Sequence, residues 1–580
     1  MRTSTVIRMA IVAIAWLPSA CAAADELTGG DLRAGKTPAV GDVVILNDFA
    51  ACAPESAMTT TSQKGTWWLR PYKTAGGQGV MLCVEERDRE NPESCMAPPL
   101  TYPVDLEGVY DVWVGTYRPR LRGGGIDIKL TRDKVFSTID PCEDGVTQWP
   151  PAEDQVGRLV EVFYKTADLT GQDLHLRQPY GTYDSLWWGL CNAHVAYLKL
   201  VRRSAEEVAR EAAARQDIKR KGVVIDRDGF SWVWQYGIED LECILQQAEP
   251  FQYGNVEALN WCIGGSLSTN FPHPMTTGRI RGGGRLGDKR AERVYRFFED
   301  NGLDVLEALV DRCHELGIKI YASHRANVHY RQSNVWDEHP DWHLDSRRGL
   351  DYANPAARGF YRNFLLYIAK NYDIDGLTID FSRHRQHFNP GQEDAFEHMN
   401  TYLRELRAGL DRIGAGRGRR LILNASFVCG TWYEGKMPAE QGLDVATWVD
   451  EGIVDCIMPE GRDVMKYIEM CKGKRVTCYA RKTCSLDFDG SALQKNVHDP
   501  TPAEDQQDQP LLMQRTPLEV TEGVLKWYDA GADGVFLFNY QSLTTLRHLP
   551  YPSLLRQEVA SGQPFGRRLG EKVEWLDGAP

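Results

Sequence analysis

Two carboxylates stand where acid–base chemistry would need them. Asp380 closes the run Asp375-Gly-Leu-Thr-Ile-Asp380, and Glu460 closes Val454-Asp-Cys-Ile-Met-Pro-Glu460. Each terminates a strongly apolar stretch of the kind that forms a buried strand, so each is aimed into the mouth of the sheet those strands build. Cleaving a glycosidic bond needs such a pair: one carboxyl held protonated for the leaving oxygen, the other ionised to attack or to activate water. Asp380 and Glu460 are therefore the candidate catalytic residues.

Polar and aromatic residues gather at the ends of the other apolar runs. Asp226 and Asp228, then Trp232, follow the first; His324, Arg325 and Asn327 follow the third; Arg383 and His384 come just after Asp380. Asn424 ends the fifth run, with Trp432 beyond it; Arg481 and Lys482 follow the seventh, and Asn539 ends the eighth. A carbohydrate site needs this mixture, because amides and guanidinium groups bind hydroxyls and flat aromatic faces stack on sugar rings. Asp226, Asp228, Trp232, His324, Arg325, Asn327, Arg383, His384, Asn424, Trp432 and Asn539 are taken as substrate-binding candidates. Plainer roles compete with this reading. Asp380 could cap its loop or pair with Arg383, and an Asp-x-Asp-Gly sequence is often only a turn. His324 and His384 fit acid–base helpers and hydrogen-bonded rim residues equally well. No His-x-His follows the first run and no Cys/His cluster has zinc spacing, so no metal and no cofactor is assigned.

These positions must be held by the elements around them. From residue 222 the chain alternates apolar strand, loop and amphipathic helix. The expected strands are Val223–Ile225, Ala258–Cys262, Ile318–Ala322, Gly376–Ile379, Leu421–Asn424, Val454–Met458, Arg475–Tyr479 and Gly534–Phe538. Helices are expected between them, with Gly317 and Gly452 placed to end two of them in a left-handed residue. Such repetition predicts an α/β fold, a (β/α)8 TIM barrel over 222–580, whose chemistry sits on the loops after the strands. A doubly wound open sheet is the alternative, but no Gly-rich phosphate turn follows the first strand.

Ahead of the barrel, residues 25–203 carry short alternating stretches such as Leu159–Phe163 and Val195–Leu200, which predict an antiparallel β-sandwich. Its tryptophans (Trp67, Trp68, Trp113, Trp149, Trp187 and Trp188) read mainly as core, with a sugar-stacking platform as the alternative. Residues 204–221 are Ala-rich and charged, as in a solvated helical linker. Residues 1–24 read as a signal peptide: Arg2 and Arg8, an apolar core from Met9 to Leu17, then Ala22-Ala23-Ala24 before Asp25. That implies an exported, periplasmic or extracellular protein. Lipid attachment at Cys21 is the rival, disfavoured by Pro18. No other apolar run reaches the ~18 residues that span a bilayer.

The whole chain of 580 residues is 42% hydrophobic and 25% charged with a net charge of −13, which excludes wholesale disorder and argues against a nucleic-acid partner. Of its 14 cysteines, Cys52, Cys83, Cys95, Cys142 and Cys191 lie in the turn-rich first part, where bridges are plausible in an exported protein. Cys243, Cys262, Cys313, Cys456, Cys471 and Cys478 sit in apolar strand-like or helix-like runs and read as buried small hydrophobes.

The stretch Asp375-Gly-Leu-Thr-Ile-Asp-Phe-Ser-Arg383 resembles the strand-four signature of the glycosyl hydrolase-like family 10 group of TIM-barrel proteins. Leu303–Ile320, Pro340-Asp-Trp342 with Leu350–Pro355, and Asp444–Asp455 match in the same order, so the resemblance covers roughly residues 222–545. It implies a barrel glycosidase with Asp380 in the chemistry and, by analogy with retaining barrels that carry an acid after strand six, Glu460 as acid/base. Arg325 and Asn327 depart from the commoner aromatic after strand three. So does the basic, Gly-rich segment Arg279-Ile-Arg-Gly-Gly-Gly-Arg285, either a solvated loop or a subsite for an anionic glycan. The expectation is an exported glycoside hydrolase acting on a polysaccharide or oligosaccharide, with retention. The alternative is a non-catalytic glycan-binding protein on a degenerate barrel.

Overall fold

The apolar runs beyond residue 222 form parallel strands that close on themselves. The structure, a computed structural model, describes residues 25–85, 96–119, 124–141, 156–179, 192–216, 218–229, 241–279, 285–327, 333–347, 349–383, 386–430, 437–483, 517–540 and 543–577. The barrel strands are β1 (Gly222–Arg227), β2 (Ala258–Gly265), β3 (Lys319–Arg325), β4 (Gly376–Asp380), β5 (Ile422–Val428), β6 (Cys456–Glu460), β7 (Thr477–Thr483) and β8 (Gly534–Phe538). Each pairs in parallel with the next, and β8 pairs back onto β1 with Gly534 opposite Gly222. Every residue of β2, β4 and β6 is buried, because helices cover the outer face while side chains fill the lumen.

Alternation along the strands divides the lumen into layers. At the bottom Val224, Ala258, Tyr321, Cys456, Met458 and Phe536 form their own apolar cluster. Above it lie Asp226, Asn260, Thr378 and Asn424, and then Arg325, Asp380, Ser426, Glu460 and Arg481 toward the strand ends. The lumen thus grades from apolar to charged in the direction in which the strands run.

The helices end as their glycines require. After Val305–Glu315 and Val445–Glu451, Gly317 and Gly452 take φ of +70° and +64°, where a side chain would be strained. Helix Pro355–Asn371 is capped by Asn354, whose side chain accepts from Ala356 and Ala357, and buries Phe360, Tyr361, Phe364, Leu365 and Ile368 against the barrel.

The first part is a sandwich of a large and a small sheet. The small one orders Leu100–Tyr102, Leu174–Arg177, Ile126–Leu130 and Ser137–Ile139. Two edges of the large one come from the far end of the chain: Arg567–Lys572 pairs with Arg158–Asp168, and Glu574–Trp575 with Trp67–Thr74. The tail expected to belong with the barrel therefore completes the sandwich, covering strand edges whose N–H and C=O groups would otherwise lack partners. Helix Ala205–Gln216 occupies the linker and buries none of its residues. Trp67 and Trp113 are core, whereas Trp149, Trp187 and Trp188 lie outside the described residues. Cys52 and Cys83 are buried thiols outside any disulfide, and the six cysteines expected in the barrel's core are buried too; Cys95, Cys142 and Cys191 lie outside the described residues. Among the described residues no helix is long and apolar enough to cross a membrane.

Candidate active site

Asp380 ends β4 at the charged layer, and its Oδ1 collects hydrogen bonds from two other strands and from the loop that follows β4. It accepts from the Ser382 backbone at 3.0 Å, from the Ser382 hydroxyl, from Ser426 Oγ on β5 at 2.9 Å and from Arg481 Nη1 on β7 at 3.2 Å. The Ser382 contacts form because a backbone N–H two residues on is within reach of an Asp side chain. Burial pushes the Asp380 carboxyl up, but the Arg481 cation and the Ser382 donors outweigh it and hold it at about 2. Asp380 is therefore an anion at ordinary pH.

Arg481 organises the site. Its Nη1 faces Asp380, its Nε lies 3.3 Å from Glu460 Oε2 on β6, and its Nη2 lies 3.4 Å from Asp226 Oδ2 on β1. Glu460 is on the neighbouring strand, whereas the contacts to Asp380 and Asp226 join β7 to β4 and β1, which are not its neighbours, and so cross the lumen. Arg481 Nη1 also donates to Ser426 Oγ at 2.7 Å. Burial disfavours the guanidinium charge, yet Asp380, Glu460 and Asp226 together hold its proton more firmly than usual.

Asp226 has the opposite character to Asp380. Burial, reinforced by nearby Asp380 and Asp228, lifts its carboxyl to about 7 against the pull of Arg481 and of a hydrogen bond from Asn260. That bond, Asn260 Nδ2 to Oδ1, is 2.6 Å. Below it Thr378 Oγ1 donates to Asn260 Oδ1 at 2.5 Å, and Asn424 Nδ2 donates to Thr378 Oγ1 at 3.3 Å. Asn424 thus sits in a polar layer beneath the carboxylates and supports Asp226 through two intermediaries.

The remaining candidates divide by strand parity. In the β3–β4 pairing Arg325 stands beside Asp380, so Arg325 faces the lumen, where its Nη2 meets Asp228 Oδ1 at 2.9 Å. His324, one residue earlier, must face the helices. Its Nε2 accepts from the Ser266 backbone at 3.1 Å, its ring lies against Tyr361 and Phe364, and burial lowers it to about 3, a neutral imidazole. Asn327 uses its amide to pin two loops: Nδ2 donates to Leu350 O and Gln386 O, and Oδ1 accepts from Leu350 N and Tyr361 OH. Asn539 adopts φ of +52°, a left-handed conformation that Asn tolerates better than most residues. It ties β8 to β1 by donating its N–H to Asp226 O at 2.7 Å and accepting from Asp228 N at 2.8 Å. Arg383 is exposed on the loop after β4. Trp232, His384 and Trp432 lie outside the described residues, as do residues 280–284 of the basic segment, which leads into helix Arg285–Asp300.

The structure thus gathers Asp226, Asp228, Arg325, Asp380 and Glu460 around the lumen and turns His324 and Asn327 to support roles. Arg481, Ser426, Ser382 and Asn260 belong to the site although the sequence did not single them out as such. A signal was present for Arg481: an arginine inside Val476-Thr-Cys-Tyr-Ala-Arg481 is buried, and buried guanidinium groups have partners.

No family model and no curated protein matches the chain. Among solved structures it is similar to a Group IV chitinase from Ostrinia furnacalis, at 14% identity over 59% of this chain and 100% of that one, with a TM-score of 0.36. It is also similar to an α-galactosidase from Thermus thermophilus, at 12% identity over 87% and 98%, with a TM-score of 0.30. A third is the PgaB (BpsB) glycoside hydrolase domain from Bordetella bronchiseptica, at 10% identity over 57% and 99%, with a TM-score of 0.37. Likenesses this distant carry no argument about chemistry; the barrel rests on its own strand pairing and the site on its own contacts.

Proposed function

We propose that the barrel is a glycoside hydrolase acting on a polysaccharide or oligosaccharide, with Asp380 as nucleophile and Glu460 as proton donor. One observation carries this reading: an ionised carboxylate and a second carboxyl group converge on one buried guanidinium where the barrel strands end. In the first step Asp380 attacks the anomeric carbon while Glu460 protonates the departing oxygen. In the second, Glu460 takes a proton from water, which displaces Asp380 with net retention. A carboxyl separation of ~5 Å belongs to retaining enzymes and one of ~6.5–9.5 Å to inverting ones with Asp380 as base, and the anomer first released tells the two apart. The leader-like first 24 residues support export and a substrate outside the cytoplasm. Arg325 is engaged by Asp228, so among the described residues an anionic glycan would be met by the exposed Arg383.

The test compares the purified protein with Asp380→Asn on neutral, uronic and sulfated polysaccharides, scoring new reducing ends and the anomer first released. Expected are cleavage by wild type, a loss of about 10³-fold or more in the variant, and retention. Equal cleavage by both would remove Asp380 from the chemistry. Specific glycan binding with no cleavage would favour the non-catalytic alternative.

A further inference from the structure

Three carboxyl groups share one cation. Arg481 meets Asp380, Glu460 and Asp226 at 3.2, 3.3 and 3.4 Å through three different nitrogens. Among the described residues the cluster's other guanidinium is Arg325, which pairs with Asp228 and also favours the Asp380 anion, so two cations face four carboxyl groups. Side-chain exposure is 12% for Asp380 and Glu460, 7% for Asp226 and 5% for Arg481, so water offers little compensation. Two buried cations do not offset four buried anions, and like charges this close do not all ionise. The proposed reaction already assigns a proton to Glu460 and none to Asp380, so the charge balance falls on Asp226. Its contact with Arg481, at 3.4 Å, is the longest of the three.

We propose that Asp226 is a proton-holding positioning residue: kept neutral, it leaves Arg481 as counter-ion to Asp380 before the glycosidic bond breaks and to Glu460 afterwards. This rests on the glycosidase reading. In the first half-reaction the Asp380 carboxylate bonds to the anomeric carbon. The carbon–oxygen bond to the leaving group breaks with its electron pair on oxygen, and that oxygen takes the Glu460 proton. Negative charge has then passed from Asp380 to Glu460, and both face the same guanidinium. Water reverses the transfer: its proton goes to Glu460, its oxygen bonds to the anomeric carbon, and the pair of the ester bond returns to Asp380. Asp226 exchanges no proton in either step, and the charge around Arg481 stays constant throughout.

The groups facing Asp226 account for its neutrality. Arg481 from β7 and the Asn260 amide from β2 favour the anion. Burial, Asp380 from β4 and Asp228 just past the end of its own strand oppose it and prevail, holding it at about 7. Glu460 on β6 and Arg325 on β3 act at one remove, through Arg481 and Asp228.

The test uses the full-length protein, Asp226→Asn and Asn260→Ala. Infrared difference spectra are recorded between about pH 5 and about pH 9, a range that brackets the titration. Expected is a protonated-carboxyl band, lost in wild type near pH 7 and missing in Asp226→Asn. Because Asn260 donates to the anion, Asn260→Ala should move its midpoint to higher pH, and that variant carries the test if Asp226→Asn does not fold. In kcat against pH on the cleaved polysaccharide, the alkaline limb of wild type should change position in Asp226→Asn, where only the proton donor Glu460 is left to set it, with kcat lowered only about tenfold. No band assignable to Asp226, or a loss in Asp226→Asn as deep as in Asp380→Asn, would overturn the inference. The spectra need no substrate: a band with a silent glycan panel overturns the glycosidase reading, and no band with an active panel overturns this inference alone.

Discussion

Arg481 Nη1 lies 3.2 Å from Asp380 Oδ1, and the two hydroxyls that Arg481 also reaches, Ser382 and Ser426, bond that same oxygen. One cation on β7 therefore sets both the charge and the orientation of the carboxylate that ends β4. Every contact found for the carboxyl group falls on Oδ1, among the described residues. That pattern fits a carboxylate presenting its other oxygen to a substrate.

Replacing this cation should be costly in two separable ways. Arg481→Met leaves three carboxyl groups around an uncharged side chain, and breaking a buried ion pair from one side costs about 3–5 kcal/mol. Urea denaturation should register that loss near neutral pH. Where folded protein remains, Asp380 loses the charge that holds it near 2, so the acid limb of activity should move to higher pH. Stability within about 1 kcal/mol of wild type, with the acid limb in place, would show that Arg481 does not govern Asp380.

Asn327 should prove structural. Asn327→Ala strands Leu350 N and O, Gln386 O and Tyr361 OH, each of which it now satisfies. Buried polar groups left unpaired cost about 1–3 kcal/mol apiece, with partial relief from water, so a drop of about 3 kcal/mol is expected. The checking measurement is thermal unfolding together with KM on a soluble substrate. A raised KM with an unchanged melting temperature would instead place Asn327 against substrate.

Glu558 should make the protein sensitive to alkali. Burial raises its carboxyl to about 7 although Phe565 N–H and the Thr521 hydroxyl both donate to it. Its folded value lies above its unfolded one. Its stabilisation is therefore complete below about 4.3 and is lost as pH rises toward 7. Glu558→Gln removes that proton linkage while keeping an acceptor for Phe565. Its melting temperature should exceed that of wild type above pH 7, by a difference worth about 2 kcal/mol, and the gap should close toward pH 5. A gap that does not vary with pH would count against the raised value.

Much of the barrel can be read from short range. Runs such as Leu421–Asn424 and Gly534–Phe538 are apolar on both faces, as only strands buried on both sides are, and all eight expected strands are found. The same local logic put Asp380 and Glu460 at strand ends. The tail at Arg567–Trp575 carried no comparable signal. Its strands are short and polar, and they exist because the open edges of a sheet hundreds of residues earlier are there to pair with.

The composition of the site follows the same division. Residue order alone places a carboxylate at the end of β4, because burial of an apolar run is a property of the run. It cannot say that His324 faces the helices while Arg325 faces the lumen, since parity is defined only by the pairing of Arg325 with Asp380 across two strands. Nor can it say that Arg481 serves Asp226, Asp380 and Glu460 at once, a contact that exists only when eight strands close with one stagger. Charge states depend on which groups share a buried volume. Asp226 and Asp380 are both aspartates near the ends of apolar strands, and only their neighbours in the closed barrel push one above the usual carboxylate range and the other below it.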